Sequence, residues 1–252
     1  MTLQKALKDW RRRRGLSQEG LGFEANVSAR HIAFIETGRS RPSREMVVRL
    51  SDALDVPRTD RNMLLEAAGF APLYKARDLA GEEMRIITEG LHFMLARFEP
   101  YPAFVIDRHW RLMKLNRVAK LMFEEAGVME GDSVLEALLK PLGLRQAIIN
   151  WQETAHYFAQ RLRTESRHLG GDEILLKAAE ALSNEAGSLQ TTSGFPAVVY
   201  TRYRAAGHEL SFYSTIAQLG SAEDIALADL RIELLFPGDD ATRKLLEEMF
   251  GG

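Results

Sequence analysis

The sequence contains no cysteine, which excludes disulfide bonds, thiolate metal sites and cysteine nucleophiles together and suits a reducing compartment. It also has no run of the roughly 20 apolar residues that a membrane-spanning helix requires, and no apolar signal-peptide core follows its basic start. No His-Glu-x-x-His, Gly-x-Ser-x-Gly or P-loop spacing occurs. We therefore predict a cytoplasmic protein without a membrane partner, a metal site, a required cofactor or catalytic residues.

The charge of the chain is divided unevenly along its length. The 252 residues carry a formal net charge of −2, but residues 1–72 hold 13 Lys and Arg against 9 Asp and Glu, whereas the remaining residues hold 20 against 26. A hydrophobic share of 46% is typical of packed globular proteins, and the length allows two domains. The basic amino-terminal part is therefore the one that we expect to bind a polyanion.

Five short helices are predicted in the first 70 residues. The first ends before Gly15, which can adopt the left-handed conformation that closes a helix, and its apolar residues recur at helical spacing: Leu3, Leu7 and Trp10. Ser17, Ser28 and Ser43 are good N-caps for the next three helices. The third helix of the chain, which Ser28 caps, follows a tight turn and carries two apolar residues inward, Ile32 and Ile35. A fifth helix is expected to begin at Thr59 or Asp60 and to end near Gly69.

Five helices, two of them joined by a three-residue turn, are what a helix-turn-helix domain requires. Over residues 3–57 the sequence resembles the lambda-repressor-like, xenobiotic-response-element (XRE) family of DNA-binding domains. The resemblance lies in Leu16-Ser17-Gln18-Glu19, Ala25-Asn26-Val27-Ser28, Ile32, Ile35-Glu36-Thr37-Gly38-Arg39 and Arg41-Pro42-Ser43. Two residues depart from the family pattern: Gly22 stands where alanine is usual, and Asn26 where glycine is usual, although asparagine also tolerates the left-handed conformation. The resemblance implies an all-α DNA-binding domain over residues 1–70.

The same resemblance implies which side chains meet DNA. The third helix would enter the major groove, and Arg30 is the residue that we expect to bind guanine, because its guanidinium can span both acceptors of that base. Arg39, Arg41 and Ser43 would contact the phosphate backbone, and Gln18 a phosphate or a base. Glu36 would instead hold the third helix and the following loop together. The full predicted set is Gln18, Ser28, Ala29, Arg30, His31, Ala33, Phe34, Arg39, Arg41 and Ser43.

Residues 71–100 are expected to form a linker and a connecting helix. Apolar residues of this helix alternate at steps of three and four, which is the pattern of about two coiled-coil heptads: Met84, Ile87, Leu91, Met94 and Phe98. The pattern fits both a helix that joins two subunits and a helix that packs on its own domain.

The apolar pattern of residues 101–252 predicts an α+β domain. Strands are expected at 102–107 and 110–116 as a hairpin, and later at 195–203, 210–219 and 225–236. Helices are expected between these groups, at 117–126, 133–140, 144–163 and 172–183. This order describes an antiparallel sheet of about five strands with helices covering one side.

Such a sheet is typical of PAS-like sensor modules, and the segment also resembles the MmyB-like ligand-binding domain. The resemblance lies in the segments from Tyr101 to Trp110, Asn116-Arg117, Ile149-Asn150-Trp151, Leu230 to Pro237 and Thr242. It implies that a small apolar effector, such as a fatty acid, is held between the sheet and the helices. The expected apolar walls are Phe104, Ile106, Trp110, Met113, Trp151, Phe158, Tyr200, Phe212 and Phe236, which would equally form a filled core. The expected partners of an acyl carboxylate are Arg108, His109, Asn150 and Arg202.

Two alternatives stay open for the second domain. Haem or flavin binding would place an axial histidine in an apolar segment, and only His92 and His156 approach that description. The domain could otherwise bind a partner protein and no small molecule. In either case we predict a homodimer on a palindromic operator, because one helix-turn-helix buries little surface on DNA.

Overall fold

The computed structural model describes residues 2–187, 198–220 and 223–251. The chain divides into two compact units, which are described separately. The first comprises Met1–Ala76, Thr164–Glu173 and Glu223–Ile225, and the second comprises Arg77–Arg163, Ile174–Ala222 and Ala226–Gly252. Among the described residues, no helix combines the length and the apolar character needed to cross a membrane.

The five amino-terminal helices that the sequence predicts are confirmed. Serine hydroxyls cap three of them as expected, since Ser17, Ser28 and Ser43 accept hydrogen bonds from backbone amides three residues ahead. The fifth helix begins slightly earlier than expected, at Arg58, because Pro57 supplies the extended conformation that precedes a helix. The helices are α1 (Leu3–Arg13), α2 (Gln18–Glu24), α3 (Ala29–Glu36), α4 (Arg44–Ala53) and α5 (Arg58–Ala67).

Left-handed residues occur in the turn before the helix-turn-helix and in the turn within it. Gly15 has φ +69° after α1, and Asn26 has φ +52° between α2 and α3. The turn between α2 and α3 is so tight that a Cβ on Gly22 would lie 2.6 Å from the carbonyl oxygen of Val27. This close approach explains why glycine stands where the family pattern has alanine. Ile32 and Ile35 lie in the core with no exposed surface.

The second unit contains the predicted α+β fold. Its sheet has five antiparallel strands in the order β2–β1–β5–β4–β3, so that the last strand in sequence pairs with the first. The strands are β1 (Ala103–Ile106), β2 (Leu112–Leu115), β3 (Thr201–Ala205), β4 (His208–Ala217) and β5 (Arg231–Pro237). The remaining helices are α6 (Arg85–Arg97), α7 (Arg117–Glu125), α8 (Val134–Leu139), α9 (Leu144–Ala147), α10 (Trp151–His168), α11 (Glu173–Ala186), α12 (Ile225–Ala228) and α13 (Asp240–Phe250). The end of α10 and the first residues of α11 and α12 are counted with the first unit.

Three sequence expectations for this unit were wrong in detail. The single helix expected at 144–163 is two helices, because the backbone of Ile148 and Ile149 pairs with β3 between them. The strand expected at 225–236 begins only at Arg231, since residues 225–228 form α12. The strand expected at 195–203 is observed as β3 from Thr201, and residues 195–197 of that expectation lie outside the described residues.

The connecting helix packs on its own unit along the predicted apolar stripe. Met84, in a short turn before α6, and Leu91 are buried in a core with strands of the sheet, and Ile87 and Phe98 pack against that core. Met94 is the exception, with 41% of its surface exposed. The stripe is therefore used mainly for packing within one chain.

Candidate DNA interface and ligand cavity

Helix α3 carries five of the ten residues predicted to bind DNA, and all five lie at least partly on the surface of the first unit. Arg30 is exposed, while Ala29, His31, Ala33 and Phe34 are partly exposed. The guanidinium of Arg30 lies 5.2 Å from the centre of the Phe34 ring, which is the geometry of a cation–π contact. This contact places Phe34 beside Arg30 on the surface of α3.

A buried charge cluster fixes α3 against the first two helices. The carboxylate of Glu36 accepts hydrogen bonds from Arg11 Nε at 2.7 Å and Nη2 at 2.9 Å, and from Gln18 Nε2 at 2.8 Å. Burial alone would raise the pKa of Glu36, but the hydrogen bonds of Arg11 and Gln18 and the positive charge of Arg11 lower it below its ordinary value. Glu36 thus has a structural role, but its side chain ties α3 to α1 and α2 and not to the loop that follows α3.

The other predicted DNA contacts lie around α3. Arg39 and Arg41 are exposed in the loop after it. The hydroxyls of Ser28 and Ser43 accept the capping hydrogen bonds of α3 and α4. The Ser28 hydroxyl can still donate its own proton to a phosphate oxygen, whereas the Ser43 hydroxyl also hydrogen-bonds the carboxylate of Glu45. Gln18 uses one amide N–H on Glu36, which leaves its second N–H and its carbonyl oxygen for DNA.

A cavity of about 220 Å³ lies in the second unit between the sheet and its covering helices. Its walls are mainly aromatic and aliphatic, which is the composition of small-molecule sites. Four of the predicted wall residues line it: Phe104, Trp110, Phe158 and Phe212. The wall is completed by Phe123, Val134, Leu138, Leu144, Thr154, Tyr157, Arg161, Val199, Thr201, Tyr203, Ser214, Glu233 and Leu235.

A strained turn directs Trp110 into this cavity. Trp110 has φ +62°, an uncommon conformation for a bulky residue, directly after the turn that leaves β1. The carboxylate of Asp107 stabilises the turn by accepting hydrogen bonds from the amides of His109 at 2.8 Å and Arg111 at 2.9 Å. The Trp110 ring then packs edge-on against Phe158, with ring centres 5.3 Å apart.

An ion pair that was not predicted from the sequence lies inside the cavity. Arg161 on α10 binds both carboxylate oxygens of Glu233 on β5, and its guanidinium lies 4.5 Å from the centre of the Trp110 ring. The Glu233 side chain is only 3% exposed. A glutamate within the apolar strand Ile232–Phe236 was a usable signal, because charged residues are rarely buried unless they are paired.

The remaining residues predicted to bind the ligand do not line the cavity. Ile106 is fully buried in β1, and Met113 packs against the core beside α6. Trp151 lies under the guanidinium of Arg145. Tyr200 and Phe236 belong to a separate aromatic cluster, in which both contact Tyr213.

The predicted carboxylate partners also lie elsewhere. Arg108 forms an ion pair with Asp229, and His109 belongs to the turn before Trp110. Asn150 binds the backbone of Tyr200 and Arg202 with its side chain. Arg202 forms an exposed pair with Glu209. The polar groups that do face the cavity come from α10 and the sheet instead.

The two histidines considered as haem ligands are likewise outside the cavity wall. His92 is exposed on α6. His156 shares a hydrogen bond of 2.8 Å with the amide of Gln160, and its ring contacts Tyr157. Neither lines the cavity.

Comparison with known proteins agrees with this two-part architecture. A helix-turn-helix domain model matches residues 5–64, and the MmyB-like transcription regulator ligand binding domain matches residues 87–249. No curated protein matches the chain. The second match covers more than half of the chain and contains the whole cavity wall. The chain therefore belongs to the family of the MmyB-like transcription regulator ligand binding domain, which is preceded here by a helix-turn-helix domain.

Proposed function

We propose that this protein is a dimeric, cytoplasmic XRE-type transcriptional regulator that binds a palindromic operator and responds to a small apolar effector such as a fatty acid. It acts by binding and performs no catalysis. The observation that carries the DNA-binding part is the exposed row on α3, where Arg30 is held over Phe34 while Ile32 and Ile35 anchor the helix from below. A cationic fork on a rigid helix is the arrangement that reads guanine in the major groove.

The outer face of α6 supports the proposal of a homodimer. Ile86 and Phe93 are 75% and 64% exposed on this face, and Gly90 between them leaves open space for a partner helix. Charge selects an antiparallel pairing with a second copy about Gly90, because this pairing sets Arg97 beside the other copy's Glu83. A parallel pairing would instead bring like charges together at both ends. The occupant that we propose is therefore the same face of a second chain.

The cavity supports the proposal of an apolar effector. Its aromatic and aliphatic walls match the apolar body of a fatty acyl group, and a few polar side chains among them can orient one polar end. In the described part of the wall there is no histidine, so a haem bound there would lack its usual imidazole ligand. This observation favours a lipid-like effector over haem.

DNA binding is tested with an operator selected from random duplexes by the full-length protein. Arg30→Ala should weaken binding about 5- to 150-fold for each half-site and relax the preference for guanine at one position of each half-site, since one bidentate contact is worth about 1–3 kcal/mol. Arg41→Ala is the matched control, because loss of a phosphate contact should weaken all sequences alike and reduce the salt slope by about one for each half-site. Unchanged selectivity in Arg30→Ala would refute the assignment of α3.

The effector is tested by mass spectrometry of the purified protein. A native spectrum should show an added lipid mass on the protein, and this mass should be absent in Phe212→Trp, a change that fills the cavity from β4. An absorbance band of haem or flavin would instead support the cofactor alternative. No added mass after incubation with lipid extracts would favour a domain that only binds another protein.

A further inference from the structure

The cavity contains two opposite charges that neutralise each other. Arg161 projects from α10 and Glu233 from β5, and the guanidinium meets both carboxylate oxygens, one of them at 3.3 Å. The side chains are 21% and 3% exposed. A pair this deep in an apolar wall leaves the cavity without net charge among the described residues that line it.

From this arrangement we propose that the effector's polar end is uncharged and that the cavity excludes an ionised carboxylate. The inference rests on the proposed binding of an apolar effector and narrows its chemical class. The ligand would be an apolar chain or ring that ends in a hydroxyl, an amide or a protonated acid. A fatty acid would then bind in its neutral form.

The first argument concerns Arg161, which is the cation that an ionised acid would need. Its guanidinium is already engaged by Glu233 on one edge and covered by the Trp110 ring on one face. An incoming carboxylate would have to displace Glu233 or bring a second negative charge beside it. The buried carboxylate of Glu233 has lost its hydration, and Arg161 compensates for that loss. Removing this counter-charge is therefore strongly unfavourable.

The second argument concerns Tyr203, which lines the same cavity from β3. Its hydroxyl makes no hydrogen bond to any residue in the described part of the chain. Burial and the nearby Glu233 charge raise the pKa of Tyr203, so the hydroxyl keeps its proton at neutral pH. The Tyr203 hydroxyl is thus a neutral donor in the same cavity as the lone pairs of Glu233, which suits a ligand group that both accepts and donates a hydrogen bond.

The test compares three ligands with one chain length: decan-1-ol, decanamide and decanoate, titrated into the full-length protein at pH 8. We expect the alcohol or the amide to bind at least tenfold more tightly than decanoate. Equal or tighter binding of decanoate would overturn the inference while leaving an apolar effector in place. Failure of all three to bind, together with failure of longer homologues, would refute the proposed function itself.

A charge-removing variant sharpens the test. Glu233→Gln leaves Arg161 without its counter-charge, so the affinity for decanoate should rise at least tenfold while the affinity for decanol changes little. Glu209→Gln is the matched control, because Glu209 pairs with Arg202 on the exposed hairpin outside the cavity. A Glu233→Gln protein that folds and still prefers the neutral ligands to the same extent would contradict the role of the ion pair.

The pH dependence of the wild-type protein provides a measurement that needs no variant. If only protonated decanoic acid binds, its apparent affinity should rise about 100-fold from pH 8 to pH 6. Above a carboxyl pKa near 4.3, the neutral fraction grows about tenfold for each unit by which the pH falls. The titratable side chains that face the cavity are Tyr157, Arg161, Tyr203 and Glu233 within the described wall. Decanol corrects for any titration of the protein, and a flat decanoate affinity would refute the inference.

Discussion

Replacing Glu36 with glutamine should loosen the first three helices by about 3 kcal/mol. The substitution keeps the shape of the side chain but removes the charge that Arg11 and Gln18 bind, and the side chains of Glu36 and Arg11 are only 2% and 10% exposed. Removing one partner of a buried pair costs about 3–5 kcal/mol, because the other charge loses its compensation. Glutamine retains one acceptor oxygen, which places the expected cost at the lower end of this range.

Amide hydrogen exchange in the full-length chain measures this cost locally. Because about 1.4 kcal/mol corresponds to a factor of ten, the protection of amides in α1–α3 should fall about 100-fold. Protection in the sheet of the second unit should change much less. Asp52→Asn is the matched control in the first unit, since Asp52 is 59% exposed in its pair with Arg61 and a surface pair is worth at most about 1 kcal/mol.

The wild-type protein should show the same cluster in its pH dependence. The pKa of Glu36 is lower in the folded chain than the ordinary value near 4.3. The stabilisation by the ionised carboxylate is therefore fully present above about pH 4.3 and is lost as pH falls through the lower folded value. Glu36→Gln should lose this component of acid sensitivity. A protection change in Glu36→Gln below tenfold, or an unaltered acid response, would refute the reasoning.

Two further predictions concern packing and assembly. Gly22→Ala should lower both the melting temperature and the operator affinity, because the new Cβ would lie 2.6 Å from the Val27 carbonyl oxygen. Calorimetry and a DNA-binding assay measure the two effects. An unchanged protein would show that the turn can open without cost. Phe93→Asp should raise the dimer dissociation constant at least tenfold in sedimentation experiments, because it places a charge in the proposed α6 interface. His92→Asp, on another side of the same helix, is the control and should have little effect. Equal effects of the two substitutions would contradict the interface.

Local signals in the sequence were sufficient for most of the first unit. Serine caps, left-handed turn residues and the inward spacing of Ile32 and Ile35 act over a few residues, so they can be read without knowing the rest of the fold. Strand alternation likewise predicted the β1–β2 hairpin. The break before α10 could not be read in this way, because it arises from pairing of Ile148 with Tyr203, which lies 55 residues further along the chain.

The sequence by itself thus determined the order of the two domains, the helix-turn-helix of the first unit and the class of the sheet domain. Tertiary structure alone decided which aromatic residues line the cavity and which form separate clusters, since periodicity assigns a residue to a face but does not identify its neighbours. It also decided the pairing of Arg161 with Glu233, which are 72 residues apart. An ion pair between distant elements depends on how α10 crosses the sheet, and no local pattern encodes that crossing.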